Sequence, residues 1–156
     1  MTDNAIMRLG WRKAHRTMRN KIGGPFGAII VKDNEIIAIS SNTVLRDNDP
    51  TAHAEINAIR EACKELGTYD LSDCILYATG EPCPMCLSAI IWANISKVYY
   101  MNPASEAAKI GFRDTHIYEF IKSGMTDKNI LDIKQLNIEN GTDLYKDYMK
   151  YNFTMY

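Results

Sequence analysis

Two short stretches of the chain combine side chains that bind metals with a side chain that moves protons. "PTAHAEINAIREACKELG" (50–67) contains His53 and Glu55, and "GEPCPMCLSAIIWA" (80–93) contains Cys83 and Cys86. An imidazole and two thiolates form a ligand set that zinc prefers. A carboxylate within reach of such an ion can act as a general acid and base. The four residues therefore predict a zinc centre with its own proton carrier.

Both stretches place these side chains where a helix is expected to begin. Cys83 and Cys86 are three positions apart, so their side chains project from one face of a helical turn. Pro84 suits the first turn, because the N–H that proline lacks would have no partner within the helix there. Helix N-termini carry partial positive charge, which favours the thiolate form that binds metals.

The other cysteines are too far away to complete a four-ligand site. Cys63 follows His53 by ten positions on one predicted helix, which separates the two residues by about 15 Å. Zinc bonds measure only about 2.0 to 2.3 Å. Cys74 begins the strand that leads to the second motif, more than about 10 Å from its cysteines. His15 and His116 are not excluded, but neither has motif spacing. Three protein ligands and an open fourth position are typical of catalytic zinc.

Glu55 is expected to act on water rather than to bind the metal. Residues two apart on a helix point in different directions, so Glu55 does not share the face of His53. Zinc lowers the pKa of a bound water from 15.7 to about 7. A carboxylate beside that water can take its proton and pass it to a leaving amine, a contribution of roughly 10² to 10⁴-fold. The two motifs in this order match the H-x-E…P-C-x-x-C signature of zinc deaminases.

Length and composition favour a single cytoplasmic domain. A chain of 156 residues can fold as one domain without a disulfide or metal. Its 18 Lys and Arg residues balance 19 Asp and Glu residues, which gives no electrostatic case for a nucleic-acid or membrane-surface partner. The N-terminus lacks the apolar core of a signal peptide, and no later run is long enough to span a bilayer. In the reducing cytoplasm, cysteines are expected to be free thiols or metal ligands.

The periodicity of apolar residues predicts an α/β fold, a three-layer α/β/α sandwich over a mixed central sheet. Two β-branched runs joined by "KDNE" predict an antiparallel hairpin, and the later strand–helix–strand order predicts parallel pairing. The predicted strands are "FGAIIVK", "EIIAIS", "CILYATG", "KVYYM" and a possible "NILDIKQL". The predicted helices are 3–19, 51–66, 84–93, 104–110, 115–123 and an aromatic-rich terminal helix.

Sequence signals also predict where helices begin and end and which side faces the core. Asp3 or Asn4 is expected to cap the first helix, Thr51 to cap the helix that carries His53, and Gly67 to end that helix in a left-handed conformation. The inner side of the first helix is expected to carry Ile6, Met7, Trp11, Ala14 and Met18.

Four segments resemble bacterial guanine deaminases of the cytidine-deaminase-like fold: "GGPFGAIIV", "NDPTAHAEINAIREAC", "CILYATGEPCPMCLSAIIWA" and "GFRDTHIY". The likeness covers roughly residues 23–120 and the final tyrosine. It implies hydrolysis of guanine to xanthine and ammonia in purine salvage or catabolism. It also implies one Zn²⁺ per chain, with Glu55 as the proton shuttle and a ligand set of His53, Cys83 and Cys86.

The same resemblance implies a second catalytic carboxylate, Asp114, and a set of substrate-binding residues: Phe26, Asn42, Ala54, Trp92 and Tyr156. Residue types alone leave plainer alternatives open. Asn42 can be a turn asparagine and Asp114 a surface residue of a loop. Phe26 and Trp92 can be core residues instead of pocket walls.

The chain departs from the family pattern at two positions. Arg113 stands where similar proteins carry the first member of an acidic pair, so only Asp114 remains of that pair. Gly80 stands where a cysteine often precedes "EPCPMC", which removes a thiol but no expected metal ligand. We therefore expect an unchanged metal set, while the Arg113 change bears on the choice of substrate.

The C-terminal segment, about 140–156, is expected to contribute to a dimer. Tyr145, Tyr148, Tyr151 and Phe153 stand at near-helical spacing, which is typical of a packing stripe. The resemblance places Tyr156 over the substrate, contributed by the partner subunit of a homodimer with a swapped tail. We thus expect residues 1–156 to form one deaminase domain whose tail completes a partner's active site.

Three other functions fit parts of the pattern. A tRNA adenosine deaminase has nearly the same fold and metal motif, although proteins that hold a phosphate backbone tend to be basic. A deaminase of free cytosine or of nucleosides would differ only in the pocket around the metal. A non-catalytic zinc-binding module would need a fourth ligand.

Overall fold

The computed structural model of the chain describes residues 1–151 and 154–156. The described chain divides into two compact units, Met1–Asp114 and Thr115–Tyr156. The first unit contains a sheet and the helices packed on it, and the second contains helices joined by loops. The expectation of a single domain over 1–156 stays a prediction.

The sheet of the first unit has four strands in the order β2-β1-β3-β4. The strands are β1 (Gly27–Lys32), β2 (Glu35–Ser41), β3 (Cys74–Gly80) and β4 (Lys97–Asn102). β1 pairs antiparallel with both β2 and β3, and β3 pairs parallel with β4. The β1–β2 turn is made by Asp33 and Asn34, both with positive φ (50° and 63°), as a tight hairpin turn requires. The predicted hairpin and mixed sheet are confirmed.

Helices cover both faces of this sheet, because its strands point successive side chains to opposite sides. On one face, β1 and β3 contribute Ala28, Ile30, Leu76 and Ala78 to a core with α3 and α4. On the other face, Ile29, Val31 and Tyr77 pack with Ile6 of α1. The helices of this unit are α1 (Asp3–Arg19), α2 (Val44–Asp47), α3 (Ala54–Leu66), α4 (Pro84–Trp92) and α5 (Ala104–Lys109). The predicted three-layer sandwich is confirmed.

The first helix differs from its prediction at its cap and on its inner side. Thr2 is the cap, and its hydroxyl accepts a hydrogen bond from the N–H of Ala5, so neither Asp3 nor Asn4 has that role. Trp11 and Met18 are exposed, while Gly10 and Thr17 are buried with Ile6 and Ala14. The helix lies so close to the sheet that only small residues fit at its centre. A β-carbon added to Gly27 of β1 would collide with the Gly10 carbonyl oxygen.

The helix that carries the first motif begins two residues later than predicted. His53, not Thr51, occupies the cap position of α3, while the Thr51 hydroxyl bonds to the Asp49 carboxylate in the preceding turn. Gly67 ends α3 with φ 65°, which confirms the predicted left-handed stop.

The second unit contains α6 (Thr115–Lys122) and α7 (Asp143–Lys150). The possible strand "NILDIKQL" does not form, since the described part of this unit has no other strand to pair with it. Tyr145, Tyr148 and Tyr151 of the expected packing stripe are exposed, so that expectation is wrong within the single chain, and Phe153 lies outside the described residues. Within the described residues, no helix has the length and apolar character needed to cross a bilayer.

Candidate active site

The structure brings His53, Cys83 and Cys86 together in one cluster. The Nδ1 atom of His53 lies 3.6 Å from Sγ of Cys83 and 3.5 Å from Sγ of Cys86. The potential ligand atoms all lie within 4.8 Å of one another. A tetrahedral zinc ion with ordinary bond lengths holds its nitrogen and sulfur ligands about 3.6 Å apart. The cluster therefore fits one zinc ion.

Two helix starts at the same end of the sheet deliver these ligands. His53 is the cap residue of α3, and Cys83 is the cap residue of α4, with Cys86 in the first turn of that helix. Neither cap side chain bonds to the free N–H groups of its own helix, so both remain available to the cluster. The chain reaches Cys83 three residues after the last residue of β3, Gly80, which fixes its position relative to the sheet.

The charges of the cluster suit a cation. The pKa of Cys83 falls to about 4, chiefly because the Cys86 thiol donates a hydrogen bond to its sulfur, with His53 also lowering it. The pKa of Cys86 is raised, first because loss of its proton would break that bond and then because of burial. The pKa of His53 is raised by its hydrogen bond to Cys83. Zinc binds thiolates, so its binding displaces any proton that remains on either sulfur.

Among the described residues, no fourth His, Cys, Asp or Glu side chain joins this cluster. Cys63 and Cys74 are free thiols whose pKa values are raised by burial. The ring of His15 stacks on Trp11 instead, with 5.0 Å between the ring centroids. The predicted set of three ligands and one zinc site is supported, which leaves a coordination position for a reacting molecule.

Glu55 lies beside the cluster, in the first turn of α3. Glu55 is only 7% exposed to solvent. Burial raises the pKa of its carboxyl group, which also interacts with the side chains of Cys83, His53 and Cys86. A buried carboxyl group beside such a cluster can accept and release a proton during a reaction.

Asn42 is a buried turn residue whose side-chain NH₂ group can still bind a substrate. Its Oδ1 atom accepts hydrogen bonds from the backbone N–H groups of Gly24 (3.1 Å) and Val44 (3.2 Å). Since both neighbours are donors, the oxygen must face them, which directs the NH₂ group elsewhere. Its backbone N–H donates to the carbonyl of Phe26 at 3.0 Å, so these two predicted substrate residues are held together. The turn role of Asn42 is therefore real, and a substrate role through its NH₂ group is compatible with it.

The remaining predicted residues differ in their surroundings. Ala54 is fully buried in the core at the start of α3, between His53 and Glu55. Trp92 is 69% exposed at the end of α4, so it is not a core residue of that helix. Asp114 is half-buried at the end of the first unit. Tyr156 is exposed and belongs to the second unit.

Two residues near the site were missed by the sequence reasoning. Phe112 contacts Phe26 edge to face, with 5.0 Å between centroids and an 87° interplanar angle. Asn57 of α3 donates to the carbonyl of Ser41 and the hydroxyl of Thr43, and so holds both neighbours of Asn42 in place. No sequence pattern marked Asn57, because Arg60 and Glu61, its neighbours one turn later on α3, are charged and give no sign of a buried partner.

Comparisons with known proteins agree with this geometry. Residues 1–102 match the family described as the cytidine and deoxycytidylate deaminase zinc-binding region. The chain is 56% identical over 109 residues to guanine deaminase of Bacillus subtilis (strain 168), with 70% of each chain covered. It is 47% identical over 100 residues to the tRNA-specific adenosine deaminase of Aquifex aeolicus (strain VF5), with 64% of this chain and 66% of that protein covered. The X-ray structure of guanine deaminase from Bacillus subtilis matches with a TM-score of 0.93 at 41% identity, over 100% of this chain and 99% of that chain.

Proposed function

Because the chain belongs to the cytidine and deoxycytidylate deaminase family, we propose that it is a zinc-dependent hydrolase that converts guanine to xanthine and ammonia. The observation that carries the proposal is the cluster of His53, Cys83 and Cys86 with the buried carboxyl group of Glu55 beside it. Guanine is favoured as the substrate because this chain is more similar to guanine deaminase of Bacillus subtilis than to the tRNA-specific adenosine deaminase of Aquifex aeolicus.

Each residue of the cluster has a distinct task in this reaction. His53, Cys83 and Cys86 hold the zinc ion, which supplies the Lewis acidity that makes water a nucleophile near neutral pH. Glu55 takes a proton from that water while the water oxygen forms a bond to C2 of guanine. Glu55 then gives the proton to the exocyclic nitrogen, and the C2–N bond breaks. The second water proton moves to N3 of the ring, so guanine and water yield xanthine and ammonia.

Asn42 and Phe26 are proposed to hold the purine. The NH₂ group of Asn42 can donate to a ring nitrogen or carbonyl oxygen of guanine, while its oxygen keeps the turn in place. Phe26 offers an aromatic surface whose backbone is tied to Asn42. Ala54 is proposed to contact the substrate at the start of α3, between His53 and Glu55. Asp114 is proposed as a second carboxylate that binds the base or its protons.

The exposed face of α4 supports a homodimer. This helix is apolar on all sides, and such helices are normally buried all round. Pro84, Cys86 and Ile90 are buried against the rest of the unit, whereas the opposite face, formed by Leu87, Ile91 and Trp92, is 41% to 69% exposed. A second copy of the chain can cover this face, because symmetric pairing buries the same surface on both copies. We place the substrate-binding role of Trp92 in that interface.

The proposed role of the tail follows from the same dimer. Tyr156 is exposed within the second unit, as an aromatic residue that serves another subunit would be in an isolated chain. We propose that the segment of about 140–156 places Tyr156 over the substrate in the active site of the partner subunit. The free state of all four cysteines supports a cytoplasmic location.

A substrate panel tests the proposal. Purified protein with measured zinc content is incubated with guanine, guanosine, adenine, cytosine and an anticodon stem-loop, and ammonia is quantified. We expect guanine to give the largest kcat/KM. Preference for the stem-loop would replace guanine deamination by tRNA adenosine deamination, and absence of ammonia from every substrate at one zinc per chain would favour a zinc-binding module.

A further inference from the structure

The aromatic ring of Phe26 fits between two glycines. A β-carbon added to Gly80 would lie 3.1 Å from Cδ1 and 3.2 Å from Cε1 of the ring. A β-carbon added to Gly24 would lie 3.0 Å from Cδ2 and 3.1 Å from Cε2 on the opposite edge. Favourable contacts between carbon atoms occur at about 3.5 to 4.0 Å. The absence of side chains at both glycines therefore decides where the ring can lie.

Two further contacts restrict this ring. The carbonyl of Phe26 accepts a hydrogen bond from the N–H of Asn42, which fixes the backbone. Phe112 contacts the ring edge to face. With the backbone held, only the side-chain torsions of Phe26 can respond to a change in its neighbours. Gly80 is the last residue of β3, three positions before Cys83, so the ring lies against the segment that delivers a metal ligand.

We propose that Gly80 is a positioning residue for substrate recognition, which acts by letting the Phe26 ring lie against the end of β3. A side chain at position 80 would push the ring towards a different orientation and so alter the wall it presents to the purine. This inference rests on the proposed function, in which Phe26 contacts guanine.

The surroundings of Gly80 allow this change without loss of the fold. Its φ is not in the left-handed region, so alanine would not strain the backbone there. A cavity of about 260 Å³ adjoins both Gly80 and Phe26 and is lined in part by Thr79, Met101 and Ile110. A displaced ring can move into this space. Gly80→Ala is thus expected to act on substrate binding more than on stability.

The test is a double-mutant cycle on zinc-loaded protein with guanine as substrate. Gly80→Ala is compared in the wild-type background and in the Phe26→Leu background, because leucine lacks the ring edge that the new β-carbon meets. We expect Gly80→Ala alone to raise KM about three- to tenfold with kcat changed by less than about twofold. In the Phe26→Leu background, the same substitution is expected to change KM by less than about twofold.

Gly10→Ala is the matched control. Its β-carbon would meet Thr79 and Ile29 at 3.4 to 3.7 Å, which is ordinary contact, and KM should not change. Rates are normalised to zinc-containing protein, so partial unfolding does not imitate the effect. The inference is overturned if Gly80→Ala has the wild-type KM, or if its shift is equal in both backgrounds. If the wild-type protein releases no ammonia from guanine, the proposed function fails and this inference fails with it.

Discussion

The Sγ atom of Cys86 lies 3.5 Å from Nδ1 of His53, although 33 positions separate the two residues in the sequence. Two helix starts meet at this point, because β3 leads into α4 at the same end of the sheet where α3 begins. Both helices pack on the same face of the sheet, which holds their first turns close together. One ion held by both helices is therefore expected to stabilise the first unit as well as to serve the reaction.

Removal of zinc is expected to lower stability and abolish turnover. An ion present at 1,000 times its Kd adds about 4 kcal/mol to the free energy of unfolding. For a chain of this size, 1 kcal/mol shifts Tm by about 2 to 4 °C. We therefore expect chelated protein to melt about 10 °C lower, and added zinc to restore both Tm and ammonia release. If Tm stays unchanged after zinc has been shown to be lost, the claim that one ion is held by both helices would be contradicted.

Substitutions at Asn42 are expected to separate its structural role from its substrate role. Asn42→Asp keeps an oxygen for the N–H groups of Gly24 and Val44 but loses the NH₂ donor. We expect near-normal Tm and a kcat/KM for guanine reduced about tenfold or more. Asn42→Ala loses both groups, so it should reduce the free energy of unfolding by about 1 to 3 kcal/mol as well. Wild-type kcat/KM in Asn42→Asp would leave Asn42 as a turn residue only.

The exposed face of α4 is expected to mediate dimer formation. Ile91 is 66% exposed in the isolated chain, so Ile91→Asp should leave the fold of a monomer intact but separate a dimer. Light scattering after size exclusion should give twice the chain mass for the wild type and the chain mass for the variant. Leu45→Asp, at a similarly exposed position on α2, is the control and should not change the mass. A wild-type monomer at micromolar concentration would refute the proposed interface.

Tyr77 is expected to make the fold sensitive to alkali. Its hydroxyl donates to Oδ1 of Asp3 at 2.7 Å, and burial followed by this bond raises its pKa from 10.0 to about 12. Because the folded pKa is above the unfolded one, the protonated phenol stabilises the fold fully below pH 10 and loses that contribution as pH rises to about 12. Tyr77→Phe cannot titrate, so its free energy of unfolding should fall less over this window. If urea unfolding shows that the wild type and Tyr77→Phe lose equal free energy of unfolding over this pH window, the prediction is contradicted.

Much of the first unit could be predicted from the sequence, because apolar runs and helix stop signals within single elements indicate the structure that forms. β3 was predicted to the residue from one apolar run, and Gly67 ended α3 as expected. The metal ligands were predictable because helix geometry fixes the Cys83–Cys86 spacing and excludes Cys63 by distance. These are properties of single elements and do not depend on how the elements pack.

What could not be predicted depends on contacts between elements. Trp11 was expected inside and is exposed, since the close approach of α1 to the sheet admits only small side chains such as Gly10. The contact of Phe112 with Phe26 joins residues that are 86 positions apart in the sequence. The apolar run at 129–136 lacks a neighbouring strand in the described part of its unit, so β-propensity alone does not make it a strand.

The central claim is that Glu55 carries the proton between water and the leaving amine at a zinc ion held by His53, Cys83 and Cys86. The most direct test measures zinc content and ammonia release from guanine for the wild type and Glu55→Gln side by side. The account predicts one zinc ion per chain in both proteins and a loss of about 10² to 10⁴-fold in kcat for the variant. Ammonia release at the wild-type rate by zinc-loaded Glu55→Gln would contradict it.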